Sequence, residues 1–392
     1  MKQGWEYKKL GEVCEVVSGS TPKTNVPEYW GEGHYWVTPA ELNDTIVYID
    51  KTERQITDEA LTKTKLRLLP VGTVLLSSRA PIGKVAITKT EMYCNQGFKN
   101  CICSDSIYNK YLFYFLRLKK EYLNSLGRGA TFKEISKSIV ESITIPLPPK
   151  STQLTIVSEL DKINELIRLK QEQLKDYDNL AQSIFYEMFG DPVENDKGWE
   201  VKELGQLCEV TSSKRVFINE VVDAGVPFIR GTELTALNKL VPGEKMHYTL
   251  FITQEHYERL KAITGVPKVG DLLIPSINAD GIVWMVDTEE PLYFKDGRVL
   301  WIHVNHNHFN SIAIQKLMNI LIKNIYASMG GATFAELKLF VLRNMKVPIP
   351  PLSVQDAFAE KIKRIDIQKL QVKKSITDLE TLLASRMQYW FE

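Results

Sequence analysis

The sequence has no apolar run long enough to cross a membrane, and its opening residues, Met1-Lys2-Gln3-Gly4-Trp5-Glu6, lack the apolar core of a signal peptide. A cytoplasmic chain without a membrane partner is expected. Cysteine is scarce. Cys14, Cys94, Cys101, Cys103 and Cys208 are odd in number and show neither metal nor redox spacing, so they read as reduced, partly buried thiols. An excess of one charge is also lacking, because the formal net charge is only +1. Residues 1–150 carry 21 basic against 16 acidic side chains, a net of +5, whereas 151–190 carry 4 against 7 and 191–352 carry 17 against 19. Any nucleic-acid surface must then be a local cluster.

Catalytic signatures are missing too. There is no Asn-Pro-Pro-Tyr-type loop for amino-methyl transfer, no Gly-x-Gly-x-x-Gly after a strand and no phosphate-binding Gly-x-x-x-x-Gly-Lys-[Ser/Thr]. Ile82-Gly83-Lys84 has only the Gly-Lys pair of the last of these. Asp191 with Glu200 and Lys202 has the residue types of a nuclease metal set. The matching Glu6-Tyr7-Lys8 has no acid ahead of it, however, and Gly190-Asp191-Pro192 reads as a helix stop. His306 and His308 could share one strand face as metal ligands, but no Cys or carboxylate cluster completes a site, and polar edge-strand histidines are the commoner case. No catalytic centre, metal or cofactor is expected.

What the chain does contain is written twice. Ile145-Pro146-Leu147-Pro148-Pro149 leads through Ser151, a candidate N-cap, into a stretch free of Pro and Gly until Gly190. Ile156, Leu160, Ile163, Ile167, Leu174, Tyr177, Ala181, Ile184 and Met188 recur there at spacings of four and three, with Lys170 interrupting. That is a coiled-coil seam. Val347-Pro348-Ile349-Pro350-Pro351 and Ser353 then introduce Phe358, Ile362, Ile365, Val372, Ile376, Leu379, Leu383 and Trp390, in the same register 202 positions later. Lys369 and Arg386 occupy seam positions matching Ile167 and Ile184. A polar seam residue either fixes register and partner or bends its head outward to water, the second being the ordinary behaviour.

The rest repeats as well. Gly4-Trp5-Glu6 and Leu10-Gly11 return as Gly198-Trp199-Glu200 and Leu204-Gly205, Gly72 to Ser78 as Gly270 to Ser276, and Gly129-Ala130-Thr131-Phe132 as Gly331-Ala332-Thr333-Phe334. The offset drifts from 194 to 202, so loop lengths differ while the core is kept. Between these anchors the copies diverge, as two scaffolds presenting different recognition surfaces would. The expected fold class is α+β: two mixed α/β domains over 1–150 and 191–352, separated by an antiparallel pair of helices over 151–190 and 353–392 in a pseudo-two-fold duplication. Short strands are expected at 73–76, 85–88, 101–103, 271–274, 282–286 and 299–304, with further helices at 108–126 and 311–329. Each long helix of roughly 38 residues would be about 57 Å long.

A duplicated unit that opens on Gly-Trp-Glu, closes on Gly-x-Ala-Thr-Phe and the proline strand, and continues through Gln153 or Gln355 into a long helix resembles the DNA-specificity subunit of Type I restriction-modification systems. The resemblance spans both halves. It implies two target-recognition domains, each reading one half of a bipartite site on double-stranded DNA, with the paired helices fixing the gap. It also implies two modification (methyltransferase) subunits that methylate adenine, motor-nuclease restriction subunits joined through the complex, and no catalytic centre in this subunit. The other reading is a coiled-coil scaffold whose end domains bind proteins rather than DNA.

Under the first reading, base edges need Arg, Asn, Gln, hydroxyl or aromatic side chains on loops. The first copy offers Lys23, Trp36, Ser77 and Arg79 in the loop Ser77 to Pro81, Lys84, Asn95 and Gln96. Trp36 is the one of these best suited to the core. The second copy offers Lys214, Arg215, Arg230, Ser276 and Asn278 in the loop Ser276 to Asp280, and Arg298. Thr131-x-x-Glu134 and Thr333-x-x-Glu336 read as capping boxes opening helices, and such starts, with Arg128 and Lys133 beside the first, can also hold a phosphate.

Overall fold

The computed structural model describes residues 4–79, 81–129, 133–238, 240, 246–328 and 336–392. The chain divides into two compact units, one of Met1–Leu169 with Ile376–Glu392, the other of Lys170–Ser375. Both long helices therefore contribute to both units. They run continuously over Lys150–Phe189 and Leu352–Phe391.

In the first unit a five-stranded sheet has the order Cys14–Ser18, Lys99–Cys103, Val74–Leu76, Val85–Thr88, Tyr48–Ile49. A smaller sheet centres on Trp30–Val37, which pairs antiparallel with Gln55–Ile56 and parallel with Tyr93–Cys94. A ribbon of Glu6–Lys9 with Thr144–Leu147 carries the chain to the first long helix. The core lies where the large sheet meets the helix Asn109–Leu118 and the long-helix segments, with Tyr111 and Phe115 against Phe391 at ring distances of 5.0 and 5.9 Å. The expected helix over 108–126 is broken at Lys119 into 109–118 and 120–125.

The second unit repeats this plan. Its larger sheet has the order Glu209–Ser212, Val299–His303, Leu272–Pro275, Trp284–Met285, and its smaller one joins Val226–Ile229 to Phe251–Ile252 and, parallel, to Tyr293–Phe294. Glu200–Glu203 pairs with Lys346–Ile349 as the proline ribbon. His303 lies on an interior strand, not an edge, and that strand ends before His306 and His308, which removes the shared strand face. Among the described residues no group of three His, Cys, Asp or Glu could hold a metal. Nor is any helix among them long and apolar enough to cross a membrane.

The helices pair antiparallel. In the second unit, partners of rising number on the first helix meet falling numbers on the second. Asp178 accepts from Lys369 Nζ at 2.5 Å, while Phe185 and Phe189 pack on Phe358 at 5.8 and 4.8 Å. In the first unit Glu159 accepts from Arg386 Nη2 at 3.1 Å and from Trp390 Nε1 at 3.0 Å. Lys369 thus reaches across the seam to a carboxylate at the exposed surface of the first helix. Lys170 instead donates to Gln173 on its own helix at 3.1 Å. Gly190, at φ +75°, ends the first helix, and a Cβ there would meet Asp196 Oδ1 at 1.9 Å.

Ser151 and Ser353 are not caps. The helices begin earlier, with the carbonyls of Pro149 and Pro351 accepting from Gln153 N and Gln355 N at 3.1 Å each. Proline suits this boundary because its fixed φ already matches a helix start.

One carboxylate in the second unit sets a pH dependence. Asp271 is buried, and burial alone would push its carboxyl up. His303 Nδ1 at 3.4 Å, the amides of Lys268 and Val304, and the Trp301 indole N–H at 3.1 Å outweigh that and hold it below the usual range. A depressed folded value contributes stability above the unfolded value of about 3.9, and that stability is lost as pH falls through the folded value. Asp271→Asn should cost about 1.5–3 kcal/mol at neutral pH and flatten acid unfolding of this unit. Denaturant titrations at stepwise lower pH check both, and an unchanged acid slope in the variant would contradict the assignment.

Candidate nucleic-acid interface

In the first unit the loop after Val74–Leu76 closes on itself. Ser77 Oγ donates to the Pro81 carbonyl at 2.8 Å and accepts from Lys84 N at 2.9 Å. Ser78 N donates to the Gly97 carbonyl at 2.7 Å, and Ile135 N donates to the Ser78 carbonyl at 2.9 Å. These bonds tie Ser77 and Ser78 to Lys84, Gly97 and Ile135.

Glu134 is the hub of the charges at this loop. It accepts from Arg79 Nε at 2.8 Å and from Lys99 Nζ at 3.0 Å. Burial pushes its carboxyl up, but these two cations outweigh burial and hold it below the ordinary range. Arg128 bonds Glu134 through the backbone in both directions, at 3.0 and 2.9 Å, and its side chain is exposed, as is that of Lys133. Two cations thus share one carboxylate, with Arg128 and Lys133 exposed beside it in sequence. The capping-box reading fails here because Glu134 serves Arg79 and Lys99; the helix that follows starts at Lys137, with Ser136 Oγ accepting from Ile139 N at 3.2 Å. Gln96 bonds Thr21 and Lys23 is exposed. Asn95 Oδ1 accepts from Gly97 N at 2.9 Å, and Lys84 Nζ donates to the Pro39 carbonyl at 3.0 Å.

In the second unit the corresponding bonds recur. Ser276 N donates to the Arg298 carbonyl at 2.9 Å and Leu337 N donates to the Ser276 carbonyl at 2.6 Å. Ser276 and Arg298 border a cleft of about 660 Å³, lined also by Arg230, Thr232, Thr235, Ile277 and Lys295 among others. Arg298 Nη1 approaches Glu336 at 3.4 Å, and Arg230 forms a bidentate pair with Glu233. Burial would push the Glu233 carboxyl up, yet the Arg230 guanidinium, the Thr232 hydroxyl and backbone amides bring it down to about 2. Lys214 and Arg215 are exposed nearby in sequence to Ser213, whose hydroxyl donates to the Phe294 carbonyl at 2.6 Å.

Four residues named from sequence are interior and leave the candidate set. Trp36 is 2% exposed, donates its indole N–H to the Ser20 carbonyl at 3.2 Å and packs edge-on against Trp30. Ser77 and Ser276 are buried in the loop closures described above. Asn278 is buried because its amide closes its own loop, accepting from Ile282 N and donating to the Ile282 carbonyl, both at 2.6 Å. Thr131 and Thr333 lie outside the described residues. Sequence reading missed Lys99 and Lys295. A lysine inside the apolar run Phe98 to Cys103 was the available signal for the first, since buried lysines are rare without a partner. Nothing comparable marked Lys295.

A family model described as the Type I restriction modification DNA specificity domain matches this chain twice, over residues 2–176 and 196–381. The MjaIX specificity subunit of Methanocaldococcus jannaschii is 30% identical over 411 residues, covering 96% of this chain and 90% of that one. The EcoR124I/EcoR124II specificity subunit of Escherichia coli is also 30% identical, over 46% of this chain and 48% of its own. Among solved structures, a chain from a study of assembly and conformational transition of the type I system aligns with a TM-score of 0.65 at 18% identity, covering 99% of this chain and 97% of that chain. The S subunit from M. genitalium aligns at 0.53 and 16%, covering 100% and 98%.

Proposed function

Because the chain belongs to the Type I restriction modification DNA specificity family, as a specificity subunit with two target recognition domains, we propose that each domain reads one half of a bipartite site on duplex DNA. The paired long helices set the gap between the half-sites and dock two modification subunits. Adenine methylation belongs to those subunits, and cutting to motor-nuclease subunits that join through the complex. The observation that carries this reading is the duplicated face. The same backbone bonds gather the same loops in each unit, while the side chains presented, Arg79, Arg128 and Lys133 in one and Arg230, Lys295 and Arg298 in the other, differ. A shared frame with unlike donors suits two unlike base sequences.

The test is to map methylated adenines in cells carrying this chain with its modification partner, beside a variant with four helical residues inserted at corresponding points of both long helices. The insertion adds about 6 Å per helix, or about two base pairs. The expected result is a gap longer by that amount with both half-sites unchanged. Purified with its partner, the chain should also bind duplex DNA with an affinity falling steeply as salt rises. Salt-insensitive binding, or none, would favour a protein-binding scaffold.

A further inference from the structure

One turn occurs in both units, closed by the same bond from the capping amide to a glutamate three residues on, but with a different side chain in front of it. In the first unit, strand Trp30–Val37 runs parallel to Tyr93–Cys94 and ends at Thr38, whose N–H and hydroxyl donate to Glu41 at 2.6 and 2.9 Å. In the second, Val226–Ile229 runs parallel to Tyr293–Phe294 and ends at Arg230, whose N–H donates to Glu233 at 3.1 Å. Trp36 opposite Tyr93 and Phe228 opposite Tyr293 place Thr38 and Arg230 at equivalent points of the scaffold.

Glu233 does more than hold this turn. Its oxygens also accept from Arg230 Nε at 3.1 Å, Arg230 Nη2 at 2.6 Å and the Thr232 hydroxyl at 2.9 Å. The Glu233 side chain is 10% exposed and that of Arg230 43%. The carboxylate therefore occupies the side edge of the guanidinium. The end edge, with one hydrogen of Nη1 and the second hydrogen of Nη2, is left over as a flat two-donor fork on an arginine that lines the open cleft.

We propose that Arg230 reads a guanine edge in the half-site of the second domain, with Glu233 as its positioning residue; this rests on the DNA-reading function above. A guanidinium fork matches the O6 and N7 acceptors of guanine in the major groove. Pairing with Glu233 cancels the arginine's charge, so what the position retains is donor geometry, not net attraction for phosphate. Other residues of the cleft supply that attraction. Lys295 is exposed with no side-chain partner among the described residues, and Arg298 has only the longer 3.4 Å contact to Glu336. At the equivalent point of the first unit Thr38 offers a single hydroxyl already bonded to Glu41, so no fork is present there.

The experiment selects duplexes with randomised half-sites using the complex of this chain with its modification partner, for the natural protein and for Arg230→Lys, Arg230→Gln and Glu233→Gln. The natural protein should require guanine at one position of the second domain's half-site. Both Arg230 variants should lose about 5- to 150-fold of discrimination at that position alone, with the first domain's half-site unchanged. Glu233→Gln should relax the same position partially. Thermal unfolding of each variant separates a lost base contact from a lost fold, and Arg230→Lys keeps the charge while removing the fork. A uniform loss of affinity across all bases with a shallower salt dependence would make Arg230 a phosphate contact and overturn the proposal. A change at any base other than guanine, or at none, overturns it as well. If the natural complex selects no duplex, the DNA-reading function falls, and this assignment with it.

Discussion

Phe358→Ala should destabilise the second unit by about 3–5 kcal/mol. Phe358 is fully buried, with Phe189 at 4.8 Å and 61° and Phe185 at 5.8 Å and 82°, and these two meet each other at 4.9 Å. Three edge-on rings leave no side chain free to swing into the hole, so the cavity term adds to the lost transfer energy. The cost should appear in one transition of a denaturant titration. Trp199, Trp284 and Trp301 report on that unit, and Trp5, Trp30, Trp36 and Trp390 on the other. A midpoint shift worth under about 1 kcal/mol would mean that the aromatic cluster is not what closes this core.

Gln355→Leu should cost a comparable amount, about 3–5 kcal/mol, for a different reason. The Gln355 side chain accepts from Asn310 N at 2.9 Å and donates to the carbonyls of His308 at 2.9 Å and Pro350 at 2.7 Å. Leucine has similar bulk but would strand one amide and two carbonyls away from water, each at about 1–3 kcal/mol before relaxation. Gln153 makes the same three bonds in the first unit, to Tyr108 N at 2.8 Å and to the carbonyls of Ser106 and Pro148, both at 2.9 Å, so Gln153→Leu should destabilise that unit alike. Gln355→Glu discriminates packing from hydrogen bonding. An ionised carboxylate would face two carbonyls, whereas a protonated one can donate to one of them, so this variant should regain stability relative to Gln355→Leu as pH falls through its carboxyl value. Equal stability of the two variants at every pH would assign the effect to packing alone.

The duplication was legible in the sequence because it is carried by positions that cannot vary cheaply. Seam residues, Gly190 and the two proline strands are fixed by burial or backbone geometry, and their spacing survives any change of surface. The glutamines after the prolines were visible too, though only as part of a pattern; their function as three-way clasps needed the fold. Surface loops were harder to read. Ser77 and Asn278 have the chemistry of base readers, yet each closes its own loop, because a short polar side chain finds its neighbouring backbone sooner than a ligand. Glu134 looked like the last letter of a capping box until Lys99, 35 positions away, proved to be its partner. Local rules cannot see such a contact. Arg230 was named as a candidate base reader, but its pairing with the residue three places on decides which of its edges remains available.

The composition of the first unit has a consequence for how the protein is made. Trp390 bonds Glu159 across 231 positions of sequence, and Phe391 sits between Tyr111 and Phe115 in a core whose other members were synthesised long before. At elongation rates of roughly 5–20 residues per second, the early half emerges from the ribosome and waits on the order of ten seconds or more for its missing rod. During that interval the apolar groove awaiting Phe391 is open, and a chaperone can reach it first. The order of translation thereby makes the unit finished last the one that begins first.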